Sequence, residues 1–342
     1  MKRFLLAVAI LLVLGILSLT TMYVIMTRPY TPKRPLPIIV EIPHGSSVHT
    51  ISHILHKEDL IRWEWSLRLW VRLYPSTPSF RYGRYRFDHP LSIPQMVEKL
   101  SRGQVELLRI TIREGLTRSE IAQQLSHQLP FSFDDFMAAS HGGALVAEID
   151  PQAPDLEGYL SPNTYHVDPG ISATAMIHLM VNHLMEKFSR NLQWRARDIG
   201  LSNREVITLA SLIEMETANR EERFLISSVF HNRLRLKMRL DCDPTIVYAL
   251  KKDRLWDGAL GWDDLKYASP YNTRIHAGLP PGPICSPGQE SIEAALYPEQ
   301  TDYLFFVAKG GGNHHFSSNL NEHNSAVQQY IIQGKRQLQN QR

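Results

Sequence analysis

A chain of 342 residues has room for one large domain, a smaller one and an anchor. Its hydrophobic fraction of 43% is that of a globular protein, and a formal net charge of +3, mixed along the chain rather than clustered, makes no demand for nucleic acid. An anionic polymer is compatible with that balance but not implied by it.

Phe4 to Met26 is an uncharged run of 23 residues, about 34 Å long as a helix and so enough for a bilayer core of ~30 Å. This predicts a transmembrane anchor. The alternative, a cleaved signal peptide, calls for a shorter apolar core and an A-x-A-like site, which Ser18-Leu19-Thr20 and its neighbours do not supply. Basic residues flank both ends, Lys2 and Arg3 before and Arg28, Lys33 and Arg34 after, so charge alone does not fix sidedness.

Thr27 to Pro37 holds four prolines and is expected to be an extended stalk. Beyond it, Ile38 to Ile42 reads as a strand, Val48 to His56 and Trp63 to Leu73 as helices, Arg84 to Asp88 as a strand and Ser92 to Ser101 as a helix. Trp63, Trp65, Trp70, Tyr82 and Tyr85 can stack on sugar rings or fill a small core. His53 and His56 share a helix face but lack a third ligand nearby, which favours a solvated face over zinc.

Further on, Val105 to Ile112 is strand-like, Thr117 and Glu120 form a capping box for a helix to Leu129, and Ser132 to Ala139 is helical. Glu157 to Tyr165 is a turn-rich patch of acid, amide, hydroxyl and aromatic groups before a helix over Ala173 to Arg190. Ser202 and Glu205 open another capped helix, which is apolar at Val206, Leu209, Ala210, Leu212 and Ile213 and carries Glu214 and Glu216. Residues two apart on a helix point roughly 200° away from each other, so at most one of these acids faces a given cleft. In an apolar setting such a carboxyl gains a raised pKa and can donate a proton near neutral pH. Both can equally pair with Arg220 and Arg223, and the helix alone does not choose between them.

Glu221 to Leu236 is amphipathic, whereas Ser269 to Gly288, rich in proline and glycine, is predicted to be a long irregular loop of the kind that often carries function. Leu304 to Ala308, the turn Gly310 to Gly312 and His315 onward form a hairpin, and a helix over Asn324 to Gln337 closes the fold. Adjacent in a strand, His314 and His315 face opposite ways and do not chelate jointly. Cys242 and Cys285 can pair in an oxidising compartment or stay as buried thiols.

The segments LASLIEMET, SSVFHNRLRLKMRLDCDPTIVY, SPYNTRIHAGLPPGPICSPG and YLFFVAKGGGNHHFSSNLNEHN resemble, in order and spacing, the YceG-like family of MltG-type endolytic murein transglycosylases. The resemblance implies an α+β fold laid out as a short cytoplasmic tail (1–3), a transmembrane helix (4–26), a proline-rich stalk (27–37), a LysM-like subdomain (38–104) and a catalytic domain (105–342) with a buried catalytic helix. It makes Glu216 catalytic, with Glu214 and Ser211 supporting. Glu157, Tyr165, Asp243, Thr245, Tyr271, Asn272, Thr273 and Asn319 are implied to bind substrate, and no metal or other cofactor is implied. The expected partners are peptidoglycan glycan strands, the cytoplasmic membrane and peptidoglycan synthases; the expected location is the inner membrane with the catalytic domain outside the cytoplasm. Ser161, Asn163, Asp241 and Cys242 depart from the family pattern and bring substrate contacts there into question. A non-catalytic wall-binding scaffold and a zinc hydrolase using the C-terminal histidines are the alternatives from other classes.

Overall fold

The computed structural model describes residues 2–73 and 79–333. Among the described residues it is α+β, with three two-stranded sheets among many helices, and it divides into two compact units. One comprises the described residues up to Ile110 with His166–Gly170; the other comprises Thr111–Tyr165 and those from Ile171.

In the first unit, α1 (Lys2–Thr27) contains a stretch, Phe4–Thr27, of mean hydropathy 2.7, long and apolar enough to cross a membrane. Its last turn is not free, because Met26 is buried in the core of the small fold that follows. The proline-rich segment expected as a stalk is lashed down as well: Tyr30 N–H donates to Leu91 O at 3.1 Å, Tyr30 Oη donates to Asp59 at 2.7 Å, and Arg34 pairs with Glu58 at 2.6 Å. β1 (Ile38–Ile42), α2 (Val48–Lys57), α3 (Glu64–Leu73) and β2 (Gly83–Phe87) come next, the strands antiparallel with Ile38 opposite Phe87. Alternation along β1 turns Ile38, Val40 and Ile42 inward. They meet Ile51 and Leu55 of α2, Leu67 of α3, Tyr85 and Phe87 of β2, and Met96 and Leu100 of α4 (Ile93–Arg102). Each such side chain contributes about 1.5–3 kcal/mol by leaving water. Tyr85, one of the aromatics left open between stacking on sugar and filling the core, is core: it is fully buried and its hydroxyl donates to Arg81 O at 2.7 Å. Trp65 and Tyr82 stay exposed.

β3 (Leu108–Ile112) pairs with a strand further along the chain, and the capping box at Thr117 opens α5 (Arg118–Ser126) as expected. After α6 (Phe133–Ala139) the partner strand of β3, β4 (Asn163–Val167), occupies the end of the patch expected to be all turn. The helix expected over Ala173 to Arg190 is α7 (Ala173–Lys187), which ends where fully buried Phe188 leaves helical geometry; Ser189 then starts a further, unforeseen helix, α8 (Arg190–Asp198). α9 (Asn203–Glu216) begins at the Ser202/Glu205 capping box, and Val206 through Ile213 are all buried, which fits a helix packed on α8 and on three later helices. Those are α10 (Arg223–Arg235), α11 (Asp243–Lys252) and α12 (Gln289–Leu296). The last two were unforeseen. A hairpin of β5 (Phe305–Gly310) and β6 (Asn313–Ser317) precedes α13 (Leu320–Val327), which starts four residues before the expected helix; the expected end at Gln337 lies outside the described residues.

Candidate active site

The two acids of α9 have different surroundings. Glu214 is 6% exposed and fully engaged: Arg223, itself 9% exposed, lies 2.9 Å away, Gly288 N–H donates at 2.9 Å and Ser291 Oγ donates at 2.7 Å. Arg223 bridges on to Glu290 at 3.0 Å, and Arg220 reaches the same Glu290 at 2.8 Å. Glu214 therefore ties α9 to the start of α12. Ser211, one turn earlier, acts similarly: its hydroxyl donates to Thr208 O and accepts Ile284 N–H at 3.0 Å, so the long loop is pinned along the helix.

Glu216 ends the helix, half-buried and with no basic partner within ion-pairing distance among the described residues. It lines a cleft of about 460 Å³ with Arg233, Leu240, Asp241, Asp243, Arg274, Phe305, Phe306, Leu320, His323 and Asn324. Burial pushes its carboxyl up to about 6; the Cys242 thiol and the His314 and Arg274 charges pull it down, while Asp243 adds to the rise. A carboxyl in that range is a competent proton donor and, once ionised, a competent acceptor. Arg274 pairs with Asp243 at 2.5 Å. Arg233 is held by Leu304 O, Leu240 O and Asp241 and lies 5.1 Å over the Phe305 ring, which fixes the wall between α10 and the hairpin. The Glu222 carboxylate accepts from both the backbone N–H and Nδ1 of His314, Nδ1 at 2.7 Å, and so clasps β6 to the head of α10; His315 packs instead on Tyr330.

Of the residues expected to bind substrate, only Asp243 lines this cleft with Glu216. Thr245 and Thr273 are buried and bond to each other and to the Cys242 backbone, holding the N-terminus of α11 rather than meeting a ligand. Asn272 is buried too, donating to Leu265 O and Tyr267 O and accepting Arg274 N–H, which aims Arg274 from inside the loop. Tyr165 is 5% exposed and spends its hydroxyl on Ser161 O at 2.5 Å, within its own turn. Asn319 caps α13 by accepting Glu322 N–H at 3.0 Å, one residue before the turn that does face the cleft. Glu157 and Tyr271 gather elsewhere: Glu157 accepts Arg118 N–H at 2.9 Å and touches Tyr248 at 3.4 Å, burial pushes its carboxyl up to about 7, and Tyr248 and Tyr271 pack 4.9 Å apart under Lys252. Both cysteines are free and buried. A larger hollow of about 630 Å³ between α8, α10 and the segment after α12 has only the exposed acids Glu299 and Asp302, and its His231 is engaged with Ala295 O.

The reading from sequence missed Arg233, Arg274, His323 and Asn324. Each lies inside a segment that carries the family resemblance, which was the signal available, but nothing in those segments says that the four meet; α10, the loop after α11 and α13 are brought together by packing.

Among the described residues, Glu216 is thus a carboxylate without a basic partner, at the end of α9 and on the wall of a polar and aromatic cleft. Residues 40–329 match the YceG-like family. A protein of Bacillus subtilis named endolytic murein transglycosylase is 35% identical over 311 residues, covering 85% of this chain and 84% of that one. One of the same name from Streptococcus pneumoniae R6 is 28% identical, covering 86% of this chain and 58% of its own. The 2.6 Å crystal structure of a YceG-like protein from Listeria monocytogenes is similar with a TM-score of 0.57 and 33% identity, covering 85% of this chain and 99% of that one. The chain belongs to the YceG-like family.

Proposed function

We propose that this protein is a membrane-anchored endolytic murein transglycosylase in which Glu216 is the catalytic acid and base. The observation that carries the proposal is the contrast on α9: Glu214 is consumed by Arg223, Gly288 and Ser291, while Glu216 has a raised pKa and faces a cleft. A hydrolase of the usual kind needs a second carboxylate at the scissile bond, whereas here the substrate supplies the nucleophile. Glu216 protonates the glycosidic oxygen between N-acetylmuramic acid and N-acetylglucosamine. The C6 hydroxyl of the muramic sugar then attacks its own C1, the C1–O bond to the leaving sugar breaks, and the Glu216 carboxylate takes the hydroxyl proton, leaving a 1,6-anhydro end. Intramolecular attack has the high effective concentration of a tethered nucleophile.

In the same reading α1 stays in the cytoplasmic membrane with the catalytic unit on its outer side, and cuts fall within nascent strands, ending their elongation close to the synthases. The β1-α2-α3-β2 arrangement supports a LysM-like glycan-holding module, with exposed Tyr82, packed 4.6 Å from His44, as a sugar platform. Mass spectrometry of products from purified sacculi tests the chemistry: the wild type and Glu214→Gln, if folded, release 1,6-anhydro ends, and Glu216→Gln does not. Normal anhydro products from Glu216→Gln would overturn the assignment, and binding of intact peptidoglycan without any product from the wild type would favour a scaffold.

A further inference from the structure

At the outer end of α1 the first unit has two adjoining grooves. The shorter, about 260 Å³, has an apolar floor of Ile25, Met26, Ile61, Leu91 and Ile93 and carries Arg28, Arg62 and Trp63 on its walls. Among the described residues neither Arg28 nor Arg62 has an ion-pair partner; both are exposed. The longer, about 490 Å³, runs down the helix along Leu14, Leu17, Ser18, Thr21, Met22 and Ile25, with Trp65 as its far wall. Ile25 lines both grooves. The Trp63 and Trp65 rings, stacked at 5.8 Å, join their walls, and the Arg62 guanidinium lies 4.5 Å over Trp63.

We infer that these grooves form one binding site for an anionic phospholipid, its phosphate between Arg28 and Arg62 and an acyl chain along Leu14 to Ile25. The inference rests on the membrane-anchored reading of α1 and goes beyond it. Leu14, Leu17 and Ile25 belong to the stretch of mean hydropathy 2.7, so in a bilayer the surroundings of the long groove are lipid chains. Residues Met22 to Thr27 end that stretch and fall at headgroup depth, where tryptophan rings are favoured and where basic side chains meet lipid phosphate. Charge selects the lipid: among the described residues neither guanidinium is in an ion pair, and Asp59, which reaches the groove through Tyr30, is already engaged by Tyr30 Oη and the Lys33 N–H, so the short groove offers two unpaired cations, which a zwitterionic headgroup neutralises poorly. A second copy of α1 would cover the apolar groove but leave both charges unmet.

The test uses the full chain in nanodiscs of equal phosphatidylglycerol and phosphatidylcholine, released into the gas phase for native mass spectrometry. Each cation near an anionic surface is worth roughly fivefold in partition. The wild type is expected to retain one phosphatidylglycerol with about 25-fold preference over phosphatidylcholine, and Arg28→Gln with Arg62→Gln to bring the ratio near parity. Arg68→Gln with Arg72→Gln, on exposed α3 positions that do not line the grooves, is expected to keep the preference. Equal retention of the two lipids by the wild type, an unchanged preference in the first pair, an equal loss in the second, preferential retention of an added polyprenyl phosphate, or a lipid-free dimer each overturns the site. An intact mass lacking the α1 segment refutes the anchor itself and the site with it, and is distinct from a full-length chain without lipid preference. Glu216→Gln is expected to retain lipid like the wild type, so loss of glycan cleavage and loss of lipid binding report separately.

Discussion

Glutamine substitutions at the two acids of α9 should move stability in opposite directions. Glu214→Gln removes the charge from a carboxylate that accepts three hydrogen bonds and leaves Arg223 with Glu290, 3.0 Å away and 39% exposed, as its one remaining acid among the described residues. Breaking a buried pair from one side costs about 3–5 kcal/mol. A glutamine carbonyl still accepts one of the three bonds, so the low end, about 3 kcal/mol, is expected. Glu216 behaves in reverse. Its folded value of about 6 lies above the ordinary 4.5. The folded state thus binds more protons than the unfolded chain between those values, and stability falls as pH rises through that window. A rise of about 1.5 (6 − 4.5), at about 1.36 kcal/mol per pKa unit, makes the ionised side chain a burden of about 2 kcal/mol above pH 6. Glu216→Gln lifts that burden and should be neutral to about 2 kcal/mol more stable at pH 7.5, with the advantage shrinking towards pH 4.5. Urea denaturation of the full chain in detergent, followed by tryptophan fluorescence at pH 7.5 and pH 5, measures both. A loss of 2 kcal/mol or more for Glu216→Gln at pH 7.5, or a loss under 1 kcal/mol for Glu214→Gln, would refute the division of labour between them.

On the proposed mechanism, in which cleavage begins with protonated Glu216, kcat/KM on glycan strands should decline above about pH 6, and Glu216→Asp should not restore the wild-type profile. Arg274 pulls the Glu216 carboxyl down, so Arg274→Ala is expected to move that alkaline limb to higher pH; an unmoved limb would mean that the guanidinium is not felt there. Tyr165→Phe should cost about 1 kcal/mol, the worth of an ordinary hydrogen bond, with KM unchanged, as befits a side chain bonded to Ser161 O. Gly158 sits at φ +83° with Pro283 where a Cβ would go, so Gly158→Ala should cost roughly 2 kcal/mol or more in the same urea assay.

The parts of the fold legible in the sequence were those with a local chemical signature. Ser202 with Glu205 and Thr117 with Glu120 marked helix starts because capping is settled within four residues. α11 and α12 escaped notice for the opposite reason: the first opens on Asp-Pro inside a stretch dense with charge, and the second is eight residues long and follows twenty that are irregular. β4 hid in a turn-rich patch because five residues, partnered by a strand some fifty positions earlier, show too little alternation. The site divides the same way. Glu214 and Glu216 were visible as a pair, but which one is spent depends on Arg223, Gly288 and Ser291, and the last two lie more than seventy residues away. Thr245, Asn272, Thr273 and Tyr165 look like ligand-binding groups in a motif; in the fold they are buried and bonded instead, Thr245, Asn272 and Thr273 around the start of α11 and the loop that carries Arg274, Tyr165 to Ser161 O within its own turn.

The bonds from Tyr30 to Leu91 and Asp59 and from Arg34 to Glu58 bear on reach. Eleven residues of loose coil would let a tethered module wander by about 18 Å, sweeping a hemisphere above its point of attachment. Fastened as it is, the small fold is bolted to the end of α1 like a fitting to a mast and moves with that helix. In the proposed membrane-anchored, glycan-holding reading, a captured strand would be gripped at one height over the lipid surface, a distance set by the protein rather than by chance.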